Sequence, residues 1–200
     1  MNFPTRLVEE AVSEIARLPG IGKKTAMRLA LHLLKSEESV TVDLASALVN
    51  LRTKTRYCRQ CHHISEEDFC HICSSSRRDR SLLCVVEDSR DVLAIEDTAQ
   101  YQGLYHVLGG IISPMSGVGP GDLNIESLMD HVAQGEVKEV ILAISPTMEG
   151  DTTAFYLSKR LSQSGIRISS IARGVPLGGE LEYTDSLTLG RSILTRTEYH

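Results

Sequence analysis

The sequence predicts an α/β protein of several modules. These are a small helical module, a four-cysteine finger, a mostly parallel sheet with flanking helices, and a C-terminal loop and helix. Three observations carry that expectation. Before residue 56 the apolar residues recur at helical spacing. After residue 80 short apolar runs alternate with helical patterns. Between the two textures stand four cysteines, Cys58-x2-Cys61-x8-Cys70-x2-Cys73.

Leu7, Val8, Ala11, Val12 and Ile15 recur at helical spacing, which predicts an amphipathic helix over 5–17. Leu18-Pro19-Gly20-Ile21-Gly22 interrupts it. A second helix is predicted over 23–35, with Ala26, Leu29, Ala30, Leu33 and Leu34 inward. A third is predicted over 43–55, with Asp43 as N-cap and Leu44, Ala47, Leu48 and Leu51 inward.

The cysteines follow. Two C-x2-C knuckles offer four thiolates, the set that closes a tetrahedral shell around Zn²⁺. A closed sulfur shell leaves no open position for water or substrate, so this metal is expected to build structure. Two disulfides or four unconnected thiols are the alternative. His62, His63 and His71 are also within reach as substitute ligands. Residues 74–78, SSSRR, read as a short exposed link.

Beyond residue 80, strands are expected at 82–86, 105–108, 139–144 and 166–171. Helices are expected at about 89–98, 124–134, 152–163 and 185–195. The loop 113–122, SPMSGVGPGD, is expected to be exposed and mobile. Cys84 sits in the apolar run Leu82-Leu83-Cys84-Val85-Val86 and reads as a buried small hydrophobe.

Composition narrows the classes. Hydrophobic residues make up 42%, enough for a core, but with no Trp and 3 Phe the packing must rely on Leu, Ile and Val. No apolar run approaches the ~20 residues of a membrane span. The start, MNFPTRLVEEAV, lacks the apolar stretch of a secretory signal. A cytosolic location is expected, and a reducing cytosol favours metal over disulfide at the knuckles.

The net charge of −5 is unevenly spread. Residues 1–80 hold 13 Lys/Arg against 10 Asp/Glu, whereas residues 81–200 hold 8 against 16. Between 15 and 36 stand Arg17, Lys23, Lys24, Arg28 and Lys35 with no acid. Between 51 and 61 stand Arg52, Lys54, Arg56 and Arg59, again with no acid. A local basic surface is what phosphate binding needs, whatever the total charge.

Leu18-Pro-Gly-Ile-Gly-Lys-Lys-Thr-Ala26 resembles the hairpin of a helix-hairpin-helix module. Gly20 and Gly22 permit a tight turn. The following helix begins with unpaired N–H groups that suit a phosphate. Lys23 and Lys24 add formal charge there and Arg28 lies about one turn further along; such contacts grip backbone and read little sequence. A solvated basic face on a plain helical hairpin is the alternative.

The second constellation is acidic. Glu87 and Asp88 follow the 82–86 strand, and Glu149 and Asp151 follow the 139–144 strand. In a parallel sheet both strand ends open on one edge, where ligands bind. Carboxylates converging there can hold Mg²⁺; as the alternative they are helix caps and loop charges, Asp151 capping the helix from 152. The arrangement looks like a Toprim domain, with Glu149-Gly150-Asp151 in place of its Asp-x-Asp. Tyr101, Tyr105 and Tyr156 read as packing residues, with no Tyr clearly placed as a cleaving nucleophile. A third feature, Arg173-Gly-Val-Pro-Leu-Gly-Gly-Glu-Leu-Glu-Tyr183, is not a P-loop, so nucleotide hydrolysis has no visible phosphate cradle.

Taken in order, these parts resemble the RecR family of bacterial recombination proteins, from about Arg6 to Arg196. The carrying segments are LPGIGKKTAMRLALHLL, the cysteine quartet, VVEDSRDVLAIE, SPTMEGDTTAFYL and GVPLGGELEYTD. The resemblance implies a helix-hairpin-helix domain at 1–55, a zinc finger at 56–76, a Toprim domain at 80–172 and a C-terminal Walker-B-like segment and helix at 173–200. It implies a DNA-binding clamp and mediator of recombinational repair, not an enzyme. It implies action with RecO, and often RecF, to load RecA at single-stranded gaps, from a homodimer or ring-like homotetramer in the bacterial cytoplasm at the nucleoid. Carried over, Lys23, Lys24 and Arg28 of the hairpin would line the hole of the ring and contact DNA, and the Toprim acids, Glu87 and Glu149 foremost, would meet RecO. A Mg²⁺-dependent nuclease- or primase-like Toprim enzyme is the alternative.

Overall fold

The computed structural model describes residues 5–175 and 178–198. The chain divides into two compact units, Met1–Thr55 and Arg56–His200.

The first unit is helical. Helix α1, Arg6–Ile15, is capped by Thr5, whose hydroxyl accepts from Val8 N. Helix α2 is Lys23–Lys35 and helix α3 is Glu38–Lys54. The core is small: Val12, Ala26 and Ala30 are buried, with Val8, Ile15, Ala16, Ile21 and Met27 packed around them. Leu29 and Leu34, expected inward, are exposed, as is Leu7 of the α1 pattern.

Helix α3 departs most from expectation. It starts at Glu38, not Asp43, because the link from α2 is only Ser36 and Glu37. The β-branched run Val40-Thr41-Val42 is drawn into the helix, since helix propensity is a weak preference. None of its residues is buried, so Leu44, Leu48 and Leu51 lie at the surface of this chain.

The second unit opens on the finger. A short antiparallel ribbon pairs β1, Arg56–Tyr57, with β2, Ile64–Ser65. Helix α4, His71–Ser74, follows. Residues 74–78 are not simply an exposed link. Arg78 is mostly buried and ion-pairs with Glu96, which also accepts from the Tyr105 hydroxyl at 2.7 Å.

The sheet has four parallel strands in the order β4-β3-β5-β6. These are β3 (Asp79–Val86), β4 (Gly103–Val107), β5 (Glu139–Ala143) and β6 (Arg167–Ser170). Between them run α5 (Ser89–Glu96), α6 (Ile125–Ala133) and α7 (Met148–Leu161), and α8 (Ser186–Leu194) follows. Leu83, Cys84, Val85 and Val86 are all buried, as in a strand covered on both faces. Cys84 is indeed a core residue, and burial pushes its thiol up to about 12.

The 113–122 loop is exposed at 114–117 and 121–122, as its composition predicts, and it carries short regular turns. Ser113 is buried and bridges Val118, and 3-10 turns form at Pro114–Ser116 and Pro120–Asp122. Pro and Gly there set tight turns.

Candidate functional site

The hairpin is built as its residues demand. Gly20 has φ +78°, a left-handed conformation costly for any side chain, though a Cβ there would meet nothing within 4 Å. Ile21 N closes the turn on Leu18 O at 3.1 Å. Gly22 is the N-cap of α2 and offers no side chain to the first-turn amides. No acid stands in that turn. Lys23, Lys24 and Arg28 are all exposed. Among the described residues, the ion pairs of this unit are Arg6–Glu10 and Arg17–Glu14, so these three cations have no counter-charge.

Cys58, Cys61, Cys70 and Cys73 converge. All four are buried, and their sulfurs lie within 4.8 Å of one another. Sulfurs about 2.3 Å from a tetrahedral zinc stand about 3.8 Å apart, and Cys61 Sγ to Cys70 Sγ is 3.5 Å. Without a cation the four groups cannot share the site as thiolates. Hydrogen bonds from Cys61 and Cys73 pull Cys70 below the thiol range, while the same contacts push Cys61 and Cys73 up. The donor set fits a structural zinc. Of the neighbouring histidines, His62 Nε2 meets Ser127 Oγ at 2.8 Å and His71 is exposed, while His63 is buried with an Nδ1 that has no partner among the described residues. The finger is stitched to the sheet, Val107 N donating to Cys61 O at 2.8 Å.

The acids sit on one edge of the sheet. Val86 pairs with Val107 on one side and Ala143 on the other, so β3, β4 and β5 end level. The chain leaves β3 toward β4 and later returns to the other side of β3, which makes the β3–β5 crevice the switch point where ligands bind. Glu87 spans that crevice, its Oε1 accepting from Ser145 N at 2.6 Å. Glu149 accepts from the Ser113 hydroxyl.

Asp88 caps α5, accepting from Arg90 N at 2.6 Å, with Asp91 completing a capping box. The Arg90 guanidinium beside it lowers its carboxyl. Asp151 does not cap α7. Thr147 does, accepting from Gly150 N at 3.0 Å, and the helix therefore begins at Met148. Asp151 instead pairs with Arg173 and Arg191, and Arg173 foremost holds its carboxyl low. Among the described residues, the cysteine quartet is the one group of three or more His, Cys, Asp or Glu with ligand atoms so close.

Tyr101 and Tyr105 pack edge to face with centroids 5.0 Å apart, and burial raises both hydroxyls. Pro176 and Leu177 of the GVPLGG segment lie outside the described residues. Sequence reasoning missed the Ser113–Glu149 contact and the Arg173–Asp151–Arg191 cluster. Both join residues far apart in the chain, and nothing in their local pattern marks them.

Fold and site together define a Toprim-type sheet joined to a four-cysteine finger and a helical hairpin. Comparison with known families agrees in order. The chain matches the RecR helix-hairpin-helix over 8–52, the RecR four-cysteine zinc finger domain over 55–75, the Toprim domain over 81–172 and the RecR C-terminal family over 174–197. It is 61% identical to the recombination protein RecR of Cytophaga hutchinsonii, covering 98% of this chain and 97% of that one. It is 57% identical to that of Bacteroides fragilis over 99% and 97%, and 55% identical to that of Flavobacterium johnsoniae over 100% and 97%. The chain belongs to the RecR family. No helix among the described residues is long and apolar enough to cross a membrane.

Proposed function

We propose that this chain is a DNA-binding clamp and mediator of recombinational repair, acting in the bacterial cytoplasm at the nucleoid, and that it is not an enzyme. The observation that carries the reading is the uncompensated cationic hairpin. Lys23, Lys24 and Arg28 stand exposed around a helix start that lacks both an acid and a side-chain cap. Contacts of this kind are sequence-independent and salt-sensitive. Lys23→Glu combined with Lys24→Glu should weaken binding to gapped DNA at least tenfold at fixed salt and flatten its salt dependence. Unchanged affinity would remove the hairpin from the interface.

Retention is assigned to assembly of a homodimer or ring-like homotetramer. The helical unit supports this: among the described residues it has three buried core residues and leaves Val42, Leu44, Leu48 and Leu51 exposed. RecO is assigned to the Toprim edge at Glu87 and Glu149, with RecF as a further partner, the end result being RecA loading at single-stranded gaps. A basic partner complements that acidic edge. Glu149→Ala should spare DNA binding and weaken RecO capture; full capture would dismiss the assignment.

The enzymatic alternative needs Mg²⁺ held by the edge acids. Each of those acids is instead engaged with a protein partner: Glu87 with Ser145 N, Asp88 with Arg90, Glu149 with Ser113 and Asp151 with Arg173. Metal-dependent nicking abolished by Glu87→Gln would restore that alternative.

A further inference from the structure

A cleft of about 520 Å³ opens between the finger and the carboxyl edge of the sheet. It lies beside the β3–β4 ends, not over the β3–β5 crevice, and the reading above gives it no role. One wall is apolar. Tyr57 and Ile64 are cross-strand partners, which places their side chains on the same face of the ribbon. Tyr57 is 70% exposed and Ile64 47%, unusual for two neighbouring large residues in a finger with so little core. The facing wall is polar. It holds the Asp88 carboxylate and Arg90 guanidinium at the start of α5, and Asn124 ahead of α6.

An apolar, aromatic wall opposed by a few donors and acceptors is the general form of a ligand site. The mixture narrows the ligand. Asp88 and Arg90 are paired with each other and Asn124 Nδ2 donates to Val107 O at 3.0 Å, which leaves Arg90 Nη1 as a donor and Asn124 Oδ1 as an acceptor, one of each, as a nucleobase edge requires. Charge stands near the cleft in the chain, though outside its lining. Arg56 and Arg59 flank Tyr57 in sequence, with side chains 68% and 71% exposed. Among the described residues they share a single counter-ion, Asp68, at 3.8 and 3.3 Å, so one positive charge is left over there. Such exposed pairs are weak, and a phosphate can displace them. Arginines interleaved with an exposed aromatic form the usual platform for single-stranded nucleic acid.

We infer that this cleft is a nucleobase site: a base stacks on Tyr57 and its edge meets Arg90 and Asn124. The inference rests on the DNA-binding reading. It assigns single-strand recognition to the finger, separate from the backbone contacts of the α2 hairpin.

The test uses the zinc-loaded full chain and a short oligothymidine. Tyr57→Ala should bind the single strand about tenfold more weakly, the scale of one lost stacking contact, and blunt duplex within twofold of wild type. Tyr57→Phe, which keeps the ring, should restore single-strand affinity, and both variants should keep their full zinc content. A strand carrying 5-iodouracil should photo-cross-link to the peptide containing Tyr57. Competition by thymidine monophosphate would assign the cleft to free nucleotides, and competition by oligothymidine alone to single strands; competition by neither would overturn the proposal. So would wild-type single-strand affinity in Tyr57→Ala while the Lys23/Lys24 variant is impaired, or loss of a protein partner in place of DNA. If neither variant loses DNA affinity, the DNA-binding reading falls as well.

Discussion

Asp151 Oδ1 lies 2.5 Å from Arg173 Nη1, and its second oxygen lies 3.5 Å from Arg191 Nη2. One carboxylate in the first turns of α7 thus ties both the segment leaving β6 and helix α8 to the sheet. Asp151→Asn removes the charge while keeping the shape. Amide exchange in 186–194 should speed up severalfold, with β3 and β5 unchanged. The Arg173 guanidinium holds the Asp151 carboxyl low, so the tie is complete above the ordinary carboxylate value of about 3.9 and is lost as pH falls through the depressed folded value. Exchange rates in α8 that ignore the substitution would show that α8 is held by other contacts.

Gly150 is fixed by space. A Cβ there would stand 2.0 Å from Ser145 O and 3.2 Å from Ile144 Cγ2. Gly150→Ala must therefore push α7 away from the end of β5, displacing Glu149 and Asp151 together. A loss of at least about 2 kcal/mol is expected, the range of an overpacked core site. Urea unfolding checks it, and a loss under about 0.5 kcal/mol would mean that the turn relaxes freely.

His106 is fully buried on β4, its Nε2 donating to Asn124 O at 2.7 Å while Nδ1 has no partner among the described residues. Burial lowers its pKa to about 4. Between the ordinary value of about 6.5 and that lower value, the unfolded chain takes up the proton and the folded chain does not, so stability falls as pH falls. His106→Gln keeps a donor for Asn124 O and does not titrate. Wild type should lose up to ~3 kcal/mol more than the variant between pH 7 and pH 4. Parallel losses in the two proteins would place the proton elsewhere.

Zinc removal should reach beyond the finger. Cys58, Cys61, Cys70, Ile72 and Cys73 belong to the same buried cluster as Leu83 and Val107, and metal-binding energy there is folding energy. Chelation should unfold 56–75 and lower the unfolding midpoint of the sheet, followed by circular dichroism. A native melting curve after complete metal loss would show that the cysteines need no ion.

Local patterns were legible where local physics decides. The acid-free basic run, Gly20 and the spacing of Ala26 and Ala30 predict α2 as it stands, at 23–35. The apolar run 82–86 predicts the central strand, and the two C-x2-C knuckles predict a quartet that does converge. Legibility failed where distant residues decide. Asp151 looks like a cap before Thr152-Thr153, yet Thr147 takes that place because its hydroxyl reaches Gly150 N, leaving Asp151 to the two arginines. Arg78 looks like linker until Glu96 arrives from 18 residues away. Leu44, Leu48 and Leu51 carry a core pattern, but nothing among the described residues buries them; periodicity marks an apolar face without saying what covers it.

The central claim is retention on DNA through weak phosphate contacts in a closed assembly. The most direct measurement compares zinc-loaded protein on circular gapped duplex and on the same DNA linearised, with Mg²⁺ present. The account predicts retention on circles, loss from free ends, and DNA left uncut. Equal retention on both forms, or nicking of the circles, would contradict it.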